Sequence, residues 1–256
     1  MTPALGGTLG VCFDAEIAGE KRFLKTHLPG TPPARALPEK PTCLRGSTAA
    51  PSCSTDSDVP LADGTARLCL LMPALLPLAG PMQPAEAAAI AGECSERLGD
   101  WRPDHTPTFE QYLASAARAL PMLSDRNLIE LATADETHRL IARLEERLPK
   151  LPAALCHGDF GPKNIMLAGT EPRVIDWEDA FAGIAGYDYL YWLTFMENRA
   201  FLQTAAFGRT GLSPEIERAV LVLVVLLKSY LAVHSGAYLK HAVPPQARIA
   251  EILALR

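Results

Sequence analysis

A chain of 256 residues can bury one large core or two modest lobes. Its composition, 48% hydrophobic and 21% charged, is that of a globular protein, and a formal net charge of -5 gives no electrostatic footprint for a nucleic-acid partner. The six cysteines, at positions 12, 43, 53, 69, 94 and 156, form no CxxC pair and no Cys/His ligand spacing, which points to reduced thiols in a cytoplasmic protein rather than to disulfides or zinc.

Along the chain, Gly6, Gly7 and Gly10 precede a strand-like Val11-Cys12-Phe13. Ala18-Gly19-Glu20-Lys21 reads as a hairpin turn and Arg22–Thr26 as the returning strand. Residues 29–66 change character. Prolines at 29, 32, 33, 38, 41, 51 and 60 stand among Ser, Thr and Ala, and no helical period survives. This stretch is expected to be irregular or partly disordered. Ala66–Met72 reads as a buried strand, and 73–84 as a proline-punctuated hinge. Helical patterns follow at 84–98, 108–120 and 134–148, the last with an apolar stripe of Leu140, Ile141, Leu144 and Leu148. An aromatic-rich helix is expected over 186–195. Ser213-Pro214-Glu215 has the form of a helix start, leading into 215–239, and a final helix covers 244–256. The longest apolar run, Ala219 to Leu227, is nine residues, too short to span a bilayer. No basic segment precedes an apolar one at the N-terminus, so no secretory signal and no membrane attachment are expected.

The chemistry concentrates between 151 and 188. The apolar run Leu151–Cys156 leads into His157-Gly158-Asp159-Phe160-Gly161-Pro162-Lys163-Asn164, and Val174-Ile175 leads into Asp176. Three oxygen-bearing side chains thus stand at or near the ends of short strand-like segments. Phosphoryl transfer from a nucleotide needs such a set. One carboxylate receives the proton of the acceptor hydroxyl, while an amide and a second carboxylate hold Mg²⁺ against the phosphates.

These residues, with Ile175-Asp176-Trp177-Glu178 and Gly186-Tyr187-Asp188, resemble the aminoglycoside phosphotransferase/choline kinase-like family, relatives of protein kinases. The resemblance covers roughly 85–256. It implies an α+β, two-lobed, protein-kinase-like fold. Residues 1–72 would form a small β-rich N-lobe, short by a strand; 73–84 would be the hinge, and 85–256 the helical C-lobe. It further implies ATP and Mg²⁺ as cofactors and a small-molecule hydroxyl as acceptor: an amino sugar, an amino alcohol or a sugar-like metabolite. By the same resemblance Asp159 is the catalytic base, and Asn164 and Asp176 are the metal ligands. His157 and Asp188 support the loop structurally. Lys25 grips the phosphates with Glu39 as its candidate ion-pair partner, and Met72 lies at the adenine-binding hinge. Gly6, Gly7 and Gly10 resemble the remnant of a phosphate-covering loop. Glycine at 158 replaces the arginine that receives an activation-loop phosphate in protein kinases. Acidic Glu178 and Asp179 suit a cationic acceptor.

The pattern breaks at 38–65, where relatives carry the helix of the ion-pairing glutamate and further strands. Pro38 and Pro41 flank Glu39, and large apolar residues are few. The alternative function is therefore a non-catalytic binding module on the same fold.

Overall fold

The computed structural model describes residues 2–4, 10–17, 19–27, 55–60, 66–98, 106–236 and 243–256. Glu39, Gly6 and Gly7 lie outside the described residues. The chain divides into two compact units, Met1–Gly80 with Lys163–Glu178, and Pro81–Pro162 with Asp179–Arg256.

The first unit is built on a five-stranded antiparallel sheet. It comprises β1 (Thr2–Ala4), β2 (Gly10–Ile17), β3 (Glu20–His27), β4 (Thr55–Pro60) and β5 (Ala66–Pro73), in the order β1-β2-β3-β5-β4. Gly19, at φ 81°, turns β2 into β3 where a side chain would strain the backbone. The expected shortage of a strand is corrected by β1 and β4, neither of which the sequence pattern marks. β4 carries Asp56, Ser57 and Asp58, residues depleted in strands, yet pairs along β5 through backbone groups. It is an edge strand, and charge at an edge discourages pairing with further chains. β3 is central: Lys25 stands opposite Cys12 on one side and Leu70 on the other, while Met72 of β5 stands opposite Phe23. A second small sheet joins β6 (Leu76–Pro77) to the hairpin of β8 (Ile165–Ala168) and β9 (Glu171–Val174).

The second unit is mainly helical. α1 (Pro84–Leu98) starts with proline in its first turn, and Glu86 reaches back to accept from the Gln83 N–H at 2.9 Å. α2 (Phe109–Asp125) runs through Pro121, past the expected end at 120, with Leu120 and Leu123 buried on either side of the proline. α3 is Leu131–Arg147. The two-stranded β7 (Ala153–Cys156) and β10 (Phe181–Ile184) ladder precedes α4 (Tyr187–Leu193) and the short α5 (Leu202–Ala205). α6 (Pro214–His234) begins where Ser213 caps it, accepting from the Ile216 N–H, and α7 is Pro245–Leu253. α6 is the spine of this unit. It buries every residue from Ala219 to Leu226 and packs against α2, α3, α4 and α7. Among the described residues no helix is long and apolar enough to cross a membrane.

Two cysteines of this unit, Cys94 on α1 and Cys156 on β7, are buried thiols. Desolvation, with Asp188 and Glu93 adding to it and Arg97 opposing, pushes the Cys94 thiol up to about 12.

Candidate active site

β7 delivers the chain into the loop His157–Gly161. Its pairing with β10 sets Cys156 opposite Phe181. Phe181 stacks on Tyr112 at 4.2 Å and meets Tyr187 edge-on at 4.8 Å, so aromatic packing fixes the strand ends that carry the loop.

The loop hangs on one carboxylate. Asp188, in the first turn of α4 and 3% exposed, accepts from the backbone N–H of His157 at 2.8 Å and of Gly158 at 3.2 Å. A buried carboxylate needs such donors. Desolvation nevertheless pushes its pKa above the ordinary aspartate value, against the opposing pull of His157 and the two N–H groups. His157 is fully buried, and its Nδ1 accepts from the Asp159 N–H at 3.2 Å. The Gly161 N–H bonds the Asp159 carbonyl at 2.7 Å, closing a tight turn around residue 160.

Gly158 sits at φ 84°, and a Cβ there would lie 2.0 Å from the Asp179 carbonyl oxygen. Gly158→Ala is therefore expected to destabilise the fold by more than the ~1–2 kcal/mol of the left-handed backbone alone, and so to lower the urea midpoint. An unchanged urea midpoint would contradict this geometry.

Asp159 is half-buried. Its Oδ1 accepts from the Tyr191 hydroxyl at 2.9 Å. Burial, followed by the charge of Asp159, pushes the Tyr191 phenol well above its ordinary range, so it stays a donor at any working pH. Tyr191 follows Asp188 by three positions, so one face of α4 holds both the loop backbone and the Asp159 side chain.

The two expected metal ligands belong to the first unit. Past the single 3-10 turn Pro162–Asn164, the β8–β9 hairpin pairs Ile165 with Val174, and the Ile175 N–H donates to the Asn164 carbonyl at 2.9 Å. The ladder thus brings Asn164 and Asp176 to the same end of the hairpin. Asp176 has φ 67°, a left-handed conformation that aspartate tolerates better than most side chains. Trp177 anchors the turn, its Nε1 donating to the Val174 carbonyl at 3.0 Å. Such backbone outliers cluster at functional sites. Lys163, Glu178 and Asp179 are exposed.

The helical unit therefore brings together His157, Asp159 and Asp188, and the hairpin brings together Asn164 and Asp176. For Lys25 and Met72 the backbone register alone is defined. Tyr191 is a further residue of the site that the sequence motifs do not contain.

The α+β fold, a sheet-based unit and a larger helical one, is kinase-like. The chain belongs to the phosphotransferase enzyme family, whose sequence profile matches residues 7–220, well into the N-terminal sheet where the motifs are thin. Solved structures share the fold. One is a thermostable mutant of aminoglycoside phosphotransferase APH(4)-Ia with ADP and hygromycin B (TM-score 0.60, 15% identity, 98% of this chain and 92% of that one). Another is the GDP complex of aminoglycoside 2'-phosphotransferase-IIIa (0.57, 12%, 98% and 89%). A third is choline kinase from Cryptosporidium parvum Iowa II (0.55, 12%, 98% and 87%). No curated protein matches the chain. The protein is thus a phosphotransferase by family.

Proposed function

We propose that this enzyme moves the γ-phosphoryl group of ATP to a hydroxyl of a small molecule, with Asp159 as the base. The observation that carries this reading is the Asp159 carboxylate, accessible, oriented by Tyr191 and borne on a loop whose backbone is clamped by Asp188. The acceptor hydroxyl donates to that carboxylate. As its oxygen bonds to the γ-phosphorus, the bond from phosphorus to the β–γ bridging oxygen breaks and ADP leaves. The acceptor proton passes to Asp159 and then to solvent.

The Asn164 amide and the Asp176 carboxylate are hard oxygen donors at one end of a hairpin, a set that fits Mg²⁺, which takes one or two carboxylates and completes its shell with phosphates and water. When bound, the ion neutralises charge on the phosphates. In this reading Lys25, on the central strand, contacts the phosphates, with Glu39 as its partner, and Met72 lies beside the base. His157 and Asp188 keep the loop in place.

The test is a thermal melt with millimolar Mg-ATP followed by ADP release across a panel of hydroxyl compounds. A ligand that binds only the native state raises the melting temperature. Asp176→Ala is expected to abolish the Mg²⁺ dependence of that shift. No shift for the unmodified chain would favour the non-catalytic alternative.

A further inference from the structure

α6 places one cation on the ring of the tyrosine that holds Asp159. Lys228 follows the apolar run Ala219–Leu227 and is half-buried. Its Nζ donates to the Thr194 hydroxyl at 2.8 Å and lies 3.6 Å from the ring centroid of Tyr191 and 3.7 Å from that of Phe195. Among the described residues it makes no ion pair with a carboxylate. A second cation stands behind it: Arg248 of α7 donates to the Thr194 carbonyl at 2.5 Å. Arg199, nearby, is paired with Glu251 at 2.8 Å.

Tyr191 links this ammonium to the chemistry. The ring that carries Lys228 on its face holds Asp159 through its hydroxyl. A hydroxyl that donates to Asp159 comes within hydrogen-bond distance of that carboxylate. Lys228 and Asp159 act on each other electrostatically, so the groups next to that carboxylate lie in the field of both. Aromatic faces are what a cationic ligand uses in such a place. Here Tyr191 and Phe195 are already occupied by the protein's own cation. A second positive group would meet repulsion from Lys228 and from Arg248 behind it, and a negative one would be drawn to them.

We propose, resting on the phosphotransfer reading above, that Lys228 is a specificity-determining residue: it directs this site to anionic hydroxyl compounds, with a carboxylate or phosphate near the reacting hydroxyl, and away from amino sugars and amino alcohols. This runs against the cationic acceptor suggested by Glu178 and Asp179, which are exposed. Burial, with Arg248 adding to it, lowers the Lys228 pKa to about 7, while Asp159 and Glu197 oppose the shift. Asp159 in the loop, Tyr191 on α4, Glu197 in the 3-10 turn Met196–Phe201 and Arg248 on α7 are the charged and titratable groups that face it. The ammonium is lost as pH rises through that value, so the preference for anions is stronger at pH 6 than at pH 8.

The experiment measures kcat and KM from ADP release with sugar acids, sugar phosphates, polyols, amino sugars and amino alcohols, for the unmodified chain, Lys228→Met and Lys228→Glu. The unmodified chain should favour sugar acids or sugar phosphates, and which of the two it favours identifies the anion. Lys228→Met should lower kcat/KM for anionic acceptors by about tenfold, chiefly through KM, and leave polyols nearly unchanged. Lys228→Glu should raise kcat/KM for aminated acceptors; should that variant fail to fold, the near-isosteric Met variant decides. An amino sugar or amino alcohol as best acceptor overturns the inference. So does a Lys228→Met variant that slows every acceptor by one factor, which is the signature of a merely structural residue. Those outcomes leave the phosphotransfer reading standing, whereas absence of ADP release from every compound removes that reading and this inference together.

Discussion

Asp159→Asn is expected to cut kcat by about 10²–10⁴-fold, the usual contribution of a positioned general base. The substitution is chosen for what it preserves. Asparagine keeps an oxygen that accepts the Tyr191 hydroxyl, which Asp159 Oδ1 accepts at 2.9 Å, and it leaves the backbone bonds to His157 Nδ1 and Gly161 in place. What it removes is the ability to take a proton from the acceptor. The melting temperature should therefore stay close to that of the unmodified chain, and the shift with Mg-ATP should persist, because nucleotide contacts are assigned elsewhere. Coupled ADP release and a thermal melt on the same preparation separate the two effects. An Asn variant that kept half its turnover would remove Asp159 from the proton-transfer step.

Asp188→Ala should damage stability and activity together. Its two oxygens accept the N–H groups of His157 and Gly158, both buried. Truncation leaves two donors without acceptors, at about 1–3 kcal/mol each, so about 2–6 kcal/mol in all. Urea denaturation reads this directly, and Asp188→Asn should fall between, since an amide supplies one acceptor and turns a donor toward the other N–H. The pH dependence has a definite sign. Burial holds this carboxyl above its unfolded value. The folded state then keeps a proton that the unfolded state releases, so the group's contribution to stability is fully present below the unfolded value and is lost as pH rises through the raised one. Asp188→Asn, which cannot ionise, should remove that part of the slope. A variant with the unmodified slope would place the titration on another group.

Much of this was legible in the chain. The start of α1, the Ser213-Pro214 entry to α6 and the apolar stripe of α3 are written in local pattern, because capping chemistry and helical period act over a few residues. β4 is not legible in that way. Its Asp-Ser-Asp centre resembles a loop, and it becomes a strand through its pairing with β5. Pro121 reads as a stop, yet burial of Leu120 and Leu123 carries α2 past it. At the site, Asp159, Asn164 and Asp176 stand in a motif visible in the chain, and Asp188 follows its glycine and tyrosine. Tyr191 and Lys228 escape because their roles arise from the approach of two helices. Their signals are faint: Tyr191 shares a helical face with Asp188, and Lys228 is a charge at the end of an apolar run inside a buried helix.

The sulfur of Cys94 bears on how such a protein weathers oxidants and alkylating agents. The reactive species of cysteine is the thiolate, and a thiol lifted to about 12 in a sealed interior offers almost none. Attack at that sulfur must wait until α1 lifts away or the whole unit comes apart. The rate at which a small electrophile consumes it is then a clock for rare opening events rather than a measure of intrinsic nucleophilicity.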